Sequence, residues 1–236
     1  MAKLWSNEVR VFYEGINLGT ATTRLSLSLE QDTIERTAFG DAAESFLPGV
    51  RRDSIEWAGM YDNATALDTV FGTLIGSATK VISVMVGTAT GSRAFAGTGA
   101  LLMKGEVARI ADIVRQEASF KPDQAWDSGI HYGGAVTITA VGGSGVSGSV
   151  DNGGSTLSGG TIYLHVLAGS FGGGTAVVLL QHGSVITDFA DLATFGGINA
   201  LTGSLQAISG TVRQWTRMRV TNNGTTLTIA NVLKRG

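Results

Sequence analysis

Two stretches of regular alternation frame the chain's first third. From Leu25 to Glu30, Leu25, Leu27 and Leu29 alternate with Ser26, Ser28 and Glu30. From Ser54 to Tyr61, Ile55, Trp57 and Tyr61 oppose Ser54, Glu56 and Met60. Period-two alternation predicts strands with one buried and one wet face. A hairpin turn needs only about two to five residues, so the connection Ala38–Asp53 is too long for a turn. With Phe39, Phe46, Leu47 and Val50 it is also too apolar for a solvated loop. The pattern predicts a protruding inter-strand arm whose apolar side chains dock on another subunit.

The rest of the chain alternates in shorter pieces. Glu8–Tyr13 reads as a first strand with a turn at Gly15–Asn17. Leu67, Val70, Phe71, Leu74 and Ile75 fall at helical spacing and predict one amphipathic helix, N-capped by Asp62 or Asn63 and stopped at Gly76. Lys80–Val86, Arg93–Leu102, Lys104–Phe120, Ile130–Tyr132 and Val136–Val141 read as strands, the second and third joined near Lys104-Gly105. Residues 143–160 are rich in Gly and Ser and predict a linker. Beyond it, Thr161–Leu167, Ala176–His182, Ser204–Ile208, Val212–Val220 and Thr225–Val232 predict a small β-sandwich, with Asp188–Ala193 as a connecting segment. The expectation is a mainly β chain. Residues 1–142 form a sandwich or barrel with one flanking helix, and residues 161–236 an Ig-like or jelly-roll-like sandwich.

Composition narrows this picture. With 236 residues, 43% hydrophobic and 15% charged, the chain reads as globular, and 34 glycines against 2 prolines fit a protein of many turns. The absence of cysteine excludes disulfides and thiol catalysis. The opening MAKLWSNEVRVFY has no apolar segment of signal-peptide type, and runs such as Ala176–Leu180 are too short to cross a bilayer as a helix, so a soluble protein without membrane insertion is expected. Residues 1–142 carry 12 basic and 16 acidic residues, and residues 143–236 carry 5 and 3.

Candidate chemistry is sparse. Gly143–Gly148 matches GxGxxG, but the following SVDNGGSTLSGG cannot start the helix that a dinucleotide site requires. His131, His165 and His182 stand apart in sequence; a metal site would need them to converge with further ligands, and pairing of the strands carrying His165 and His182 is the one route to that. No triad or nucleophile elbow is present. No catalytic residue, metal or cofactor is expected. Arg213, Trp215, Arg217 and Arg219 share one face of a predicted strand. They read either as a solvated outer face covered by arginine stems or as a strip for an anionic or sugar surface.

The strand VRVFYEGINL, the stretch LSLSLEQDTIERTAFGDAAESFLPGVRRDSIEWAGMYD and the helix ALDTVFGTLIGS together resemble the tail tube (major tail) proteins of long-tailed bacteriophages. The likeness covers roughly residues 8–132 and is most specific over Thr37–Asp62. It implies a non-enzymatic structural subunit that stacks in rings, hexameric in that family, into a virion tail tube assembled in the host bacterial cytoplasm. Its implied partners are further copies of itself and the tail tip, tape measure and tail terminator proteins, with DNA passing non-specifically through the lumen during ejection. The resemblance makes Ala38–Asp53 the inter-ring arm. Phe39, Phe46 and Leu47 would then be packing anchors, and Asp41, Glu44, Arg51 and Arg52 polar partners. Glu106, Asp112, Glu117 and Asp123 are candidates for an acidic lumen wall that repels phosphates. FADLATF and SGTVRQWTRMRV look like a β-sandwich module appended to phage structural proteins. The alternative reading is a virion surface module in which this sandwich binds host glycans through Trp215.

Overall fold

The computed structural model describes residues 8–37, 43–60, 67–77, 80–107, 115–140, 143–171, 174–221 and 226–236. In chain order the strands are Val9–Tyr13 (β1), Ile16–Asn17 (β2), Thr22–Ser28 (β3), Gln31–Glu35 (β4), Phe46–Arg51 (β5) and Ser54–Met60 (β6). A single helix, Leu67–Leu74 (α1), is found among the described residues. Then come Lys80–Val86 (β7), Arg93–Val107 (β8), Arg115–Pro122 (β9), Asp127–His131 (β10), Val136–Thr139 (β11), Ser144–Val146 (β12) and Val150–Asp151 (β13). The last six are Gly160–Ser170 (β14), Ala176–Gly183 (β15), Ala190–Ile198 (β16), Thr202–Ile208 (β17), Trp215–Thr221 (β18) and Thr226–Arg235 (β19). The fold is mainly β, as the alternation predicts. Its compact units are Met1–Thr20, Lys80–Gly97 and Asp127–Gly236 in one, and Ala21–Thr79 with Thr98–Trp126 in the other.

The larger unit holds two sheets. One runs β17-β14-β19-β10-β8-β7-β1-β2, with β11 also on β19, and the other runs β12-β18-β15-β16, with β13 on β18. Strand β14 is buried on both faces. Ile162, Leu164 and Val166 join Val178, Leu180, Met218 and Val220 in the core between the sheets. Tyr163 joins Phe12, Val81, Met85, Ala230 and Val232 in a second core on the opposite face. The first sheet therefore coils round this second core, bringing its first and last strands together. At the β1–β2 turn, Glu14 and Gly15 both take positive φ (46° and 79°), the type I′ geometry that matches strand twist. Glu14 tolerates that conformation with its carboxylate tied down, accepting the Val81 amide at 2.7 Å and Lys80 Nζ at 3.5 Å.

The smaller unit is an antiparallel sheet β3-β6-β9 extended by the later part of β8. Ile55, Trp57, Leu101 and Phe120 are fully or almost fully buried. Phe71 of α1 meets Trp57 and Phe120 edge-on, with ring centroids 5.6 and 6.3 Å apart. Trp57 also donates its indole N–H to Thr22 Oγ1 at 2.7 Å. Residue 59 has to be glycine for this packing, because a Cβ there would lie 2.3 Å from the Trp57 ring.

Several expectations shift. Residues 143–160, read as a linker, carry β12 and β13, both paired to β18. Tyr132, Ile138 and Ala140 share one core with Ile162 and Met218. The division at 142/143 is thus a different cut from the two compact units. Asp188–Ala193, expected as a connection, mostly belongs to β16, whose register slips twice against β15; those bulges broke the alternation. Strand β8 runs through Lys104-Gly105, so the expected turn there is strand. Gly76 ends the helix with φ +74°, but Ile75 is left exposed. The N-cap candidates Asp62 and Asn63 lie outside the described residues.

Candidate interaction surfaces

The arm is a continuation of the β3–β6 hairpin. Beyond Ser28 and Ser54 the same two chain segments pair again as β4 and β5, with Thr33 opposite Pro48, Ile34 opposite Leu47 and Glu35 opposite Phe46. The Arg52 amide donates to the Glu30 carbonyl at 2.8 Å across the joint, and the Arg36 amide to the Ser45 carbonyl at 2.8 Å beyond the ribbon. The sequence predicts an arm over Ala38–Asp53; the ribbon begins earlier, at Gln31. Its alternation is obscured because both faces are wet and the register slips between Gln31 and Thr33.

Apolar side chains stand on both faces. Ile34 is 57% exposed, Phe46 53%, Leu47 43% and Val50 73%. Strand alternation puts Ile34 and Leu47 on one face and Phe46, Pro48 and Val50 on the other. At its root, buried Asp53 accepts Arg51 Nη2 at 2.7 Å and the Trp126 amide at 3.1 Å. Arg52 Nε donates to Asp32 Oδ2 at 2.8 Å. A groove of about 430 Å³ opens beside the root, lined by Val50–Asp53 and Lys121–Ala125. Both arginines are thus bonded within their own chain. Phe39 and Asp41 lie outside the described residues, and Glu44 is exposed ahead of β5.

The acidic candidates are scattered. Asp112 lies outside the described residues. In the β8–β9 register Glu106 pairs with Gln116 and Glu117 with Gly105. Glu117 is exposed on a face that also holds Arg24, Glu56, Arg115 and Lys121, so that face is mixed in sign. Asp123 accepts Thr98 Oγ1 at 2.6 Å.

Three of the four residues of the arginine strip lie on β18, in the second sheet of the larger unit. Trp215, Arg217 and Arg219 are half-buried and alternate with buried Thr216, Met218 and Val220, while Arg213 precedes β18. Arg217 Nε donates to Gln181 Oε1 at 2.9 Å, and its guanidinium lies 4.0 Å over the Phe189 ring. No sequence signal paired Phe189 or Gln181 with Arg217, because their meeting depends on the β15–β18 register.

The histidines take separate places. His165 is fully buried in β14, with Nε2 2.9 Å from Ser83 Oγ and Nδ1 accepting the Gly15 amide at 3.5 Å. Burial lowers its pKa to about 3. His131 Nδ1 accepts the Gly133 and Gly134 amides at 3.0 and 3.1 Å, and burial lowers its pKa as well. His182 sits in β15, in a different sheet from His165, and accepts the Arg213 amide at 3.3 Å. Among the described residues, no three His, Asp or Glu side chains gather as a metal site.

No protein-family model and no curated protein matches the chain. Among solved structures it is similar to the tail of an empty gene transfer agent particle, at 14% identity and TM-score 0.45 over 53% of this chain and 97% of that one. It is similar to the sheath–tube complex of an extracellular contractile injection system in the extended state, at 15% identity and TM-score 0.45 over 54% and 92%. It is also similar to the SPP1 Dit protein (gp 19.1), described as a hub of the adsorption apparatus, at 13% identity and TM-score 0.38 over 94% and 98%. These are likenesses to tail, tube and hub proteins.

Proposed function

We propose that the chain is a structural subunit of a phage-like tail tube, self-assembling into stacked rings around a conduit for DNA. The observation that carries this reading is the β4–β5 ribbon. A two-stranded ribbon is marginal in water by itself, and this one has no third strand among the described residues. It nevertheless exposes Ile34, Phe46, Leu47 and Val50, and it is fixed at its root by Asp53. Apolar groups held out on a braced ribbon favour burial against a second copy.

In this reading Phe39, Phe46 and Leu47 pack against the neighbouring ring. Asp41 and Glu44 set the stagger by pairing across it, while Arg51 and Arg52, bonded to Asp53 and Asp32, hold the ribbon in place. The lumen wall is assigned to the exposed face that carries Glu117, with Glu106, Asp112 and Asp123 as the further acidic candidates. The mixed charge around Glu117 also suits a wall that slides past DNA, since tight binding needs an extended basic surface. Tail tip, tape measure and terminator proteins would start, measure and close the tube within the virion tail. The mechanism is geometric and non-enzymatic.

The test is negative-stain electron microscopy of the concentrated purified protein, with light scattering on the same sample. Hollow tubes of uniform width with a ring repeat are expected. Deleting residues 40–50 removes the arm and should abolish tubes while leaving a folded protein. Tubes of normal length from that variant, or a protein that stays monomeric at every concentration, would overturn the reading.

A further inference from the structure

Most strand edges of the larger unit are blunted. An edge strand turns half its backbone N–H and C=O groups outward, and folds protect it by shortness, bulges or charge. Strands β2 and β13 are two residues long, β12 three and β11 four. Strand β16 is longer, and its register slips twice. Strand β17 has none of these protections. It runs for seven residues and, among the described residues, pairs with β14 alone. Its register is unbroken from Thr202 opposite Val166 to Ile208 opposite Gly160. It carries no charge, and neither does the chain from Leu192 to Val212. Lys234, across β14 from Ala207, is held by Asp127 Oδ1 at 2.7 Å.

This edge also carries apolar surface. Leu205 lies opposite Tyr163 and shares its face, yet it is 43% exposed. Ala207 on the same face is exposed, and Gly203 there supplies no side chain. Ser204 and Gln206 take the other face, where Gln206 Oε1 accepts the Thr194 amide at 3.1 Å. The strand is thus close to symmetric about its midpoint, Leu205. Small residues flank the leucine on one face, and two polar residues stand on the other.

We propose that β17 pairs with β17 of a second copy, antiparallel, about a two-fold axis at Leu205. Each edge offers the other the donors and acceptors it lacks. The register sets Leu205 against its own counterpart, Gly203 against Ala207 and Ser204 against Gln206. No like charges meet, and the small residues leave the two leucines room to pack. The two sheets then run on as one, which is recognition by strand addition. A second copy suits this edge better than a segment of another protein, because its pattern is complementary to itself. A two-fold contact closes after two copies and cannot propagate. It is therefore separate from ring stacking through the ribbon, and it covers the edge in the free subunit. One strand pair buries little surface, so the dimer is weak.

The chain has no cysteine, so single introduced cysteines report the register. Facing residues on the axis have Cα atoms about 4.5–5.5 Å apart, within the roughly 4.4–6.8 Å that a disulfide spans. Leu205→Cys should give a covalent dimer on mild oxidation, read on a non-reducing gel. Ala207→Cys, also exposed but about 13 Å from its counterpart, should stay monomeric. In sedimentation velocity the parent should show a dimer at high concentration. Leu205→Lys sets like charges on the axis and should abolish that dimer, as should Ala207→Lys, with circular dichroism and melting temperature unchanged. Equal cross-linking of the two cysteine variants, or a parent-like dimer in both lysine variants, would overturn the proposal. So would a parent without dimer, or no cross-linking of Leu205→Cys, the result expected if another protein's strand is the occupant. Tubes without the Leu205→Cys cross-link would sink this proposal alone, and the cross-link without tubes would sink only the ring reading.

Discussion

Replacing Phe46 and Val50 together by serine asks whether the ribbon's apolar side chains drive assembly. Full burial of such a side chain contributes about 1.5–3 kcal/mol. Phe46 already hides about half its surface and Val50 about a quarter (53% and 73% exposed). Docking could therefore gain about 1–1.5 kcal/mol from Phe46 and slightly more from Val50, or roughly 2–3 kcal/mol for the pair. Since about 1.4 kcal/mol is a factor of ten, the critical concentration for tube growth should rise by roughly 30- to 150-fold. The fold should be nearly indifferent, because exposed substitutions usually stay within about 0.5 kcal/mol. Sedimentation of assembled material across a concentration series, with thermal melting of the monomer alongside, measures both quantities. An unchanged critical concentration in a fully folded double variant would refute the reasoning. It would mean that the ribbon is not what the rings grip.

Other outcomes follow from the interior. Phe71→Ala removes the ring that seats α1 on Trp57 and Phe120 and should cost about 3–5 kcal/mol in denaturant unfolding. Gly59→Ala drives a methyl group into the Trp57 ring and should lower the melting temperature markedly, whereas alanine at Gly105, where a Cβ meets no atom within 4 Å, should not. His165 titrates near 6.5 when unfolded but at about 3 when folded. Below about pH 6.5 the unfolded state takes up the proton first, so stability falls with falling pH until about pH 3. From this residue alone the protein should be about 2 kcal/mol less stable at pH 5 than at pH 7, and His165→Gln should flatten that acid limb. Truncation after Gly142 removes Tyr163, Ala230 and Val232 from the core around Phe12 and Met85, so residues 1–142 alone should not melt cooperatively.

What the sequence made legible was local. The alternation at Ile55 and Trp57, the helical spacing ending at Gly76 and the outward arginines of β18 could all be read because each pattern lies within one element. What escaped it depended on pairing at a distance. Nothing local to Asp188–Ala193 shows that a twice-bulged strand completes a sheet there. Nothing in residues 143–160 shows that their short strands pair with β18 rather than hang free. The cage around Arg217 escaped for the same reason: Phe189 and Gln181 reach it only through a register set by turns elsewhere. The arm's length was evident, but its ribbon form was not, because a strand wet on both faces has no hydrophobic alternation to show.

The double burial of β14 also fixes an order of events during synthesis. Residues of the smaller unit, 21–79 and 98–126, are all available once the ribosome has passed residue 126, and they can settle early. The larger unit cannot close then. Its first strand waits beside a core whose remaining walls, Tyr163 on β14 and Val232 on β19, are translated last. Through much of translation Phe12, Val81 and Met85 are without their cover, the period in which an exposed strand edge is most prone to pair with the wrong neighbour. A protein made in large numbers of copies for assembly would meet that hazard on every chain.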